Sequence, residues 1–262
     1  MGNSYLARED APFGAEIWGV LDAAMVEVAR NQLAGRRLLP IEGPFGVGLK
    51  AVSLRDVLTE SGLLVGEIIP VPWIYRTFTL GKRDLAAYER EKISLDLGPL
   101  VETTIAVARI EDELVFNGAP GVVGLLNAPD TRRVKLSPWT EVGAAANDII
   151  QAITLLDGAG FHGPYSLALS PERYNLLLRI YPGSSLAELE HIRSMVTDGV
   201  SKAPALEKGG VLVASGRQYA SILLGQDMSL GFIGPVADRL EFSISESLAV
   251  MIRQPGSMCV LE

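Results

Sequence analysis

The sequence predicts an α+β protein in which two helices and an extended arm precede a half of mixed helices and strands. Three observations predict it. Apolar residues recur at helical spacing in two long segments, a proline-broken aromatic stretch lies between them, and helix and strand patterns alternate from about residue 141 onward.

The first helical segment lies between Gly14 and Gly35. Ile17, Leu21, Ala24 and Val28 form one face that Val20 widens, Asp22, Glu27 and Arg30 fall elsewhere, and Gly35 reads as the C-terminal stop. Arg36 and Arg37 follow, where cations complement the negative end of a helix. The stretch GRRLLPIEGPFGVG, Gly35 to Gly48, is either a phosphate-cradling loop or a chain reversal. Gly46 to Ala51 matches the G-x-G-x-x-A dinucleotide fingerprint, but Pro40 and Pro44 interrupt the buried strand that must precede it. No βαβ alternation surrounds it, and Gly81-Lys82 is followed by Arg83 where a P-loop needs Ser or Thr.

From Leu49 to Leu80 the chain reads as an extended β arm. Pro70 and Pro72 break a ladder, Trp73, Tyr75 and Phe78 are read as alternating on one side, and such an arm must bury its apolar residues on a partner. The second helical segment runs from Asp96 to Gly118, with Leu97, Val101, Ile105 and Ala108 at helical spacing, Pro99 in the first turn and Gly118 after the end. At about 1.5 Å per residue it is roughly 30 Å long, enough for a spine. Glu111, Asp112 and Glu113 sit on it in consecutive positions that diverge by about 100°, so they are expected on a solvated or intersubunit face rather than on one metal.

In the second half, helical patterns cover about Glu141 to Leu156, Pro171 to Ile180 and Leu186 to Val196, with Ser170 and Pro171 as N-cap and first-turn proline. Strands are expected in YSLALS, GVLVAS, ASILLGQDMSLGFI and LEFSISESLAVMIRQ. In the last, Leu248, Val250 and Ile252 alternate with Ala249, Met251 and Arg253, as in a strand covered mainly on one face.

Composition narrows the function. The 262 residues carry a net charge of −8 with no basic stripe, which disfavours nucleic-acid capture. Hydrophobic residues make up 48 % of the chain, so either the core is large or other copies cover much of the surface. Cys259 is the single cysteine and His162 and His191 the two histidines, too few for a disulfide or a Cys/His zinc site, and a reducing cytosol fits. Neither histidine accompanies a G-x-S-x-G elbow. Trp18, Trp73 and Trp139 are far apart and read as packing residues rather than a stacking site. A charged N-terminal stretch and the lack of about 18 continuous apolar residues predict neither secretory signal nor membrane span.

NQLAGRRLLPIEGPFGVG, RTFTL, EDELVFNG, GPYSLALSPERY and GQDMSLGF, in this order along the chain, resemble the encapsulins, shell proteins of bacterial and archaeal nanocompartments. The resemblance implies the Hong Kong 97-like fold of phage major capsid proteins. It assigns 1–47 to an N-terminal helix and the start of a peripheral domain, 48–78 to an extended loop, and 79–126 to the peripheral domain with its spine helix. An axial domain takes 127–230, peripheral return strands 231–252, and a C-terminal strand returning to the axial domain 253–262. Under it, EGPFGVG becomes the reversal that carries the chain into the arm.

The resemblance further implies a homo-oligomeric icosahedral shell in the cytoplasm and a cargo enzyme, ferritin-like or a peroxidase, docked inside through its C-terminal targeting peptide. By position, Val28, Leu33, Arg36, Leu39, Ile41, Leu230 and Phe232 would bind that peptide, although familiar members carry Asp where this chain has Pro40. Pro182, Gly183, Ser184, Ser185, Leu186, Ala187 and Glu188 would line the fivefold pore for ions and small solutes, Glu188 being the one charge. Some members hold flavin on a tryptophan after the Thr-Phe-Thr-Leu stretch; Arg83 stands about there, so no cofactor is expected, and neither nucleic acid nor membrane is an expected partner. A phage capsid protein packaging DNA shares this fold, and an enzyme using GVGLKA or acting as a protease is the remaining alternative.

Overall fold

The computed structural model describes residues 4–262; residues 1–3, counted above in the first domain, lie outside it. Two short 3₁₀ turns lead into α1 (Ala15–Gln32), followed by the four-residue α2 (Gly35–Leu38) and the two-residue β1 (Ile41–Glu42). A hairpin of β2 (Ala51–Leu58) and β3 (Leu64–Pro70) precedes β4 (Trp73–Gly81), α3 (Lys82–Glu91) and α4 (Gly98–Phe116). Then come β5 (Arg132–Val134), α5 (Ala144–Asp157), β6 (Tyr165–Leu169), α6 (Pro171–Leu176), α7 (Glu188–Met195), β7 (Gly199–Lys202) and β8 (Gly210–Ala214). The long strands β9 (Ala220–Val236) and β10 (Arg239–Ile252) and the short β11 (Met258–Leu261) end the chain.

β9 and β10 form an antiparallel ribbon at the centre of a four-stranded sheet of order β1-β9-β10-β4. The spine α4 crosses β4 and β10, and α1 lies against α4. Leu21, Leu100, Val107, Phe242 and Ile244 are fully buried between these layers. Phe242 holds the centre, stacked on Phe78 at 5.3 Å and edge-on to Trp18 at 5.9 Å.

Both helical faces differ in part from the sequence expectation. On α1, Ile17 and Leu21 are buried as expected, but Trp18, Met25 and Ala29 complete the stripe and Val28 is only half-buried; on α4, Ala108 is buried as expected, while Leu97, Val101 and Ile105 are half-buried and Leu100, Thr104, Val107, Glu111 and Leu114 are buried. Trp18 and Met25 supply the large apolar area that Ala24 lacks, so packing selects their stripe. Gly35 does not end the first helix. The helix stops at Gln32, and Gly35 opens α2 with its Cα pressed to the spine, where a Cβ would stand 2.9 Å from a Val115 methyl.

A second layer sets α5, α6 and α7 on a five-stranded sheet of order β5-β11-β8-β6-β7. Every residue of β6 and β8 is buried. Leu167, Leu169 and Leu212 face its own helices, whereas Ala168, Val211 and Val213 join the first core, so one sheet face belongs to each cluster. β10 is likewise covered on both faces, against the one-face expectation. Leu248 and Val250 enter the main core, and Ala249 and Met251 pack with Val71 and Leu223 beneath the root of the hairpin. Ser170 caps α6 as expected, accepting from the Arg173 N–H.

EGPFGVG is a reversal. The Phe45 and Gly46 N–H groups donate to the Leu224 and Gly225 carbonyls, and Gly43 (φ 110°) passes so close that a Cβ would lie 2.5 Å from the Leu224 oxygen. The hairpin it releases spans residues 51–70. Beyond it β4 pairs with β10 over its whole length, so Ile74, Phe78 and Leu80 are core residues, while Trp73 and Tyr75 lie tilted against each other, ring centroids 5.2 Å apart, on the opposite, exposed face. Trp73, Tyr75 and Phe78 therefore do not share one side, because residues 75 and 78 differ by an odd number of steps.

Candidate functional site

The corner between α1 and β1 is pinned to the spine by charge. The Ala34 and Gly35 N–H groups both donate to the Asp112 carboxylate at 2.9 Å. One residue on, Arg36 forks onto Glu111 at 2.7 and 2.9 Å, its Nη2 also reaches Glu246 on β10 at 2.9 Å, and its Nη1 reaches Asp227 on β9 at 2.7 Å. Glu111 and Glu246 are wholly buried. The expected solvated acidic face is thus corrected for two of its three members: Glu111 and Asp112 are buried structural groups, and only Glu113 is exposed. Arg36 is corrected as well, since three carboxylates rather than a helix end occupy it. Arg37 does approach that end, with Nη2 3.5 Å from the Asn31 and Gln32 carbonyls.

Burial sets the protonation here. Loss of solvent pushes Asp112 up to about 6 despite its two N–H donors, and the Glu111 charge adds to the rise. Glu246 is raised well above the ordinary carboxylate range, first by burial and then by Glu111. Burial opposes the charge on Arg36, yet its contacts with Glu111, Glu246 and Asp227 win and hold it cationic.

Above this clasp runs a groove of about 430 Å³ between α1 and β9, with Met25, Ala29, Leu33 and Met228 as apolar lining and Arg30, Arg37 and Asp227 as charged rim. Of the seven residues expected to bind a peptide, Leu33 and Arg36 line it. Phe232 lines a separate groove of about 490 Å³ with Phe13, Ile17, Leu85 and Leu240. Val28 and Ile41 are half-buried, Ile41 beside Ile222 in the sheet. Leu39 and Leu230 are corrected to core residues: Leu230, opposite Ile244, is wholly inside the first cluster. Met25, Val26 and Met228 escaped the sequence reading; the apolar Val26 on the polar side of α1 was the available signal.

Among the expected pore residues, Pro182 to Leu186 form an exposed loop and Ala187 is half-buried. The Tyr181 N–H donates to the Leu186 carbonyl, and the Tyr181 hydroxyl meets His191 Nδ1 at 2.8 Å. Glu188 is corrected. It is completely buried, accepting from the Gly143 and Ala146 N–H groups at 2.9 and 3.3 Å, with Arg179 3.6 Å away. Gly143 at the head of α5 has no side chain to cap the helix, so the carboxylate from α7 satisfies its free N–H groups and cannot serve as a pore charge.

The hairpin is the most exposed apolar element. Leu64 and Ile68 are 69 % and 68 % exposed, and Leu58, Leu63 and Val65 are exposed beside them. Among the described residues no helix is long and apolar enough to cross a membrane.

A spine helix on a sheet, a second sheet with its own helices and an exposed apolar hairpin are the arrangement of the phage-capsid class, as solved structures show. The virus-like particle of Pyrococcus furiosus superposes with a TM-score of 0.78 at 23 % identity, covering 95 % of this chain and 100 % of that one. The capsid of the Myoviridae phage XM1 does so at 0.58 and 13 % identity, covering 85 % and 88 %. The Hong Kong 97-like fold is therefore the fold of this chain. The model of the family described as encapsulating protein for peroxidase matches residues 3–249, and the chain belongs to that family, the encapsulin shell proteins. It is 32 % identical to the type 1 encapsulin shell protein of Myxococcus xanthus (strain DK1622), over 98 % of this chain and 96 % of that protein. Its function is to form a shell.

Proposed function

We propose that copies of this chain close into an icosahedral shell in the cytoplasm and enclose a cargo enzyme of peroxidase or ferritin-like type, without catalysing a reaction of their own. The exposed hairpin carries the reading: Leu58, Leu63, Leu64, Val65 and Ile68 are left exposed by the protomer, although Val52, Leu54 and Ile69 at its root pack on the protomer's own core, and a neighbouring copy is the surface that covers the exposed ones. The cargo docks through its C-terminal peptide in the groove over Met25, Ala29, Leu33 and Met228, each copy binding weakly while closure of the shell retains what has bound. The loop Pro182 to Leu186 rims the opening through which small solutes pass.

Electron microscopy and light scattering of the purified protein test this. The expected result is hollow particles of uniform size that protect a co-expressed reporter carrying the cargo peptide from protease. Monomers or small oligomers alone would overturn the shell, and nuclease-protected DNA in place of the reporter would make it a genome capsid.

A further inference from the structure

The clasp beneath the groove places more carboxylate than cation in a dry space. Arg36 Nη2 donates to one oxygen each of Glu111 and Glu246, and both acids are wholly buried. The second oxygen of Glu246, Oε1, is buried without a donor. The facing groups are Arg36 and Arg37 from α2, Glu111 and Asp112 from α4, Asp227 from β9 and Glu246 from β10. Asp227 is half exposed and Asp112 is turned to the main chain of Ala34 and Gly35, so neither supplies a proton to that oxygen. Two carboxyl groups held on one nitrogen, one with an orphaned oxygen, are stable together when the orphaned oxygen carries a proton.

We propose that Glu246 keeps a proton behind Arg36, beside the ion-paired Glu111, and that this proton latches the α1–α2 corner to the spine, so that its loss loosens the floor of the groove. The latch is distinct from the docking of cargo and stands whether or not a peptide occupies the groove. The raised proton affinity of Glu246 agrees with it. The sign follows: the folded corner holds a proton that the opened corner releases, so closure is strongest in acid and weakens as pH rises, until Glu246 has ionised in the folded state too. One linked proton changes the opening equilibrium about tenfold per pH unit in that window.

Amide hydrogen exchange of residues 33–39, measured on the assembled protein from pH 5 to 9 and divided by the intrinsic chemical rate, tests the latch. In the wild type the opening should climb with pH, more steeply than in E246Q by about one power of ten per unit, because the glutamine carries a fixed N–H donor in place of the proton. Asp112, which titrates below this range's upper part, contributes to both proteins alike. Parallel pH dependences would overturn the proposal. Infrared spectroscopy of wild-type protein with isotope-labelled glutamate gives a second readout that needs no variant. A protonated carboxyl band at pH 7 that disappears in alkali is expected, and its absence at pH 7 would sink the latch.

Discussion

Arg36 and Glu111 meet as a two-pronged ion pair, 2.7 and 2.9 Å, with the carboxylate wholly buried and the guanidinium reaching the groove. The pair joins residues 75 positions apart in sequence, and Glu246 and Asp227 complete it from the two strands of the central ribbon. One side chain therefore ties the first helical region, the spine and the sheet together.

Removing the guanidinium leaves the buried Glu111 and Glu246 pair without its cation. Arg36→Ala is expected to destabilise the protomer by about 3–5 kcal/mol. Arg36→Lys should recover only part of this, since an ammonium cannot fork onto Glu111 while reaching Glu246 and Asp227. Urea unfolding followed by tryptophan fluorescence measures both; equal stability of wild type and alanine variant would refute the clasp.

Asp112 gives a pH dependence of defined sign. Its folded value of about 6 lies above the ordinary aspartate range, so its contribution is present in full below about pH 4 and is lost as pH rises through 6. Asp112→Asn lacks this titration, so the stability advantage of wild type over the variant should shrink by about 2 kcal/mol between pH 4 and 7. A constant difference across that range would contradict the assignment.

Gly43 holds the reversal that launches the hairpin. Gly43→Ala introduces a Cβ into a left-handed backbone region and 2.5 Å from a main-chain oxygen, and should lower stability by about 1–3 kcal/mol. Gly46→Ala, equally left-handed but with nothing near its Cβ, should cost less, about 1 kcal/mol. Thermal unfolding of the two variants separates crowding from backbone strain.

Glu188 acts as the cap of α5. Glu188→Ala should destabilise the protomer by about 1–3 kcal/mol through the unsatisfied Gly143 and Ala146 N–H groups. Ion entry into assembled particles, followed with an encapsulated dye, should be unaffected by Glu188→Gln and altered by Ser184→Asp on the exposed loop. The opposite pattern would return Glu188 to the pore.

Replacing residues 51–70 by a short Gly-Ser turn removes the exposed apolar hairpin while leaving β4 paired with β10. The variant should fold, with far-ultraviolet circular dichroism close to wild type, yet remain unassembled in light scattering. Closed particles from this variant would show that the hairpin is dispensable for the shell.

Most of the order of helices, arm and strands was legible in the sequence because those elements are written locally: period 3.6 in the two long helices, Ser170 and Pro171 at the head of α6, glycines and prolines at the reversal; α3 and the short β5 and β7 were not. The ordered landmarks from NQLAGRR to GQDMSLGF also carried the family. What only the tertiary structure decided is where each side chain points. Trp18 and Met25 outcompeted Ala24 for the core because the apolar area that an assembled sheet can cover depends on residues far away in sequence. Glu111 and Asp112 looked like surface charge because a buried acid differs from an exposed one only in its partners, and theirs are residues 34–36 and Glu246. Glu188 looked like a pore charge for the same reason: the helix end that claims it begins some 45 residues earlier. Periodicity is a property of neighbours along the chain, whereas burial and ionisation belong to neighbours in space.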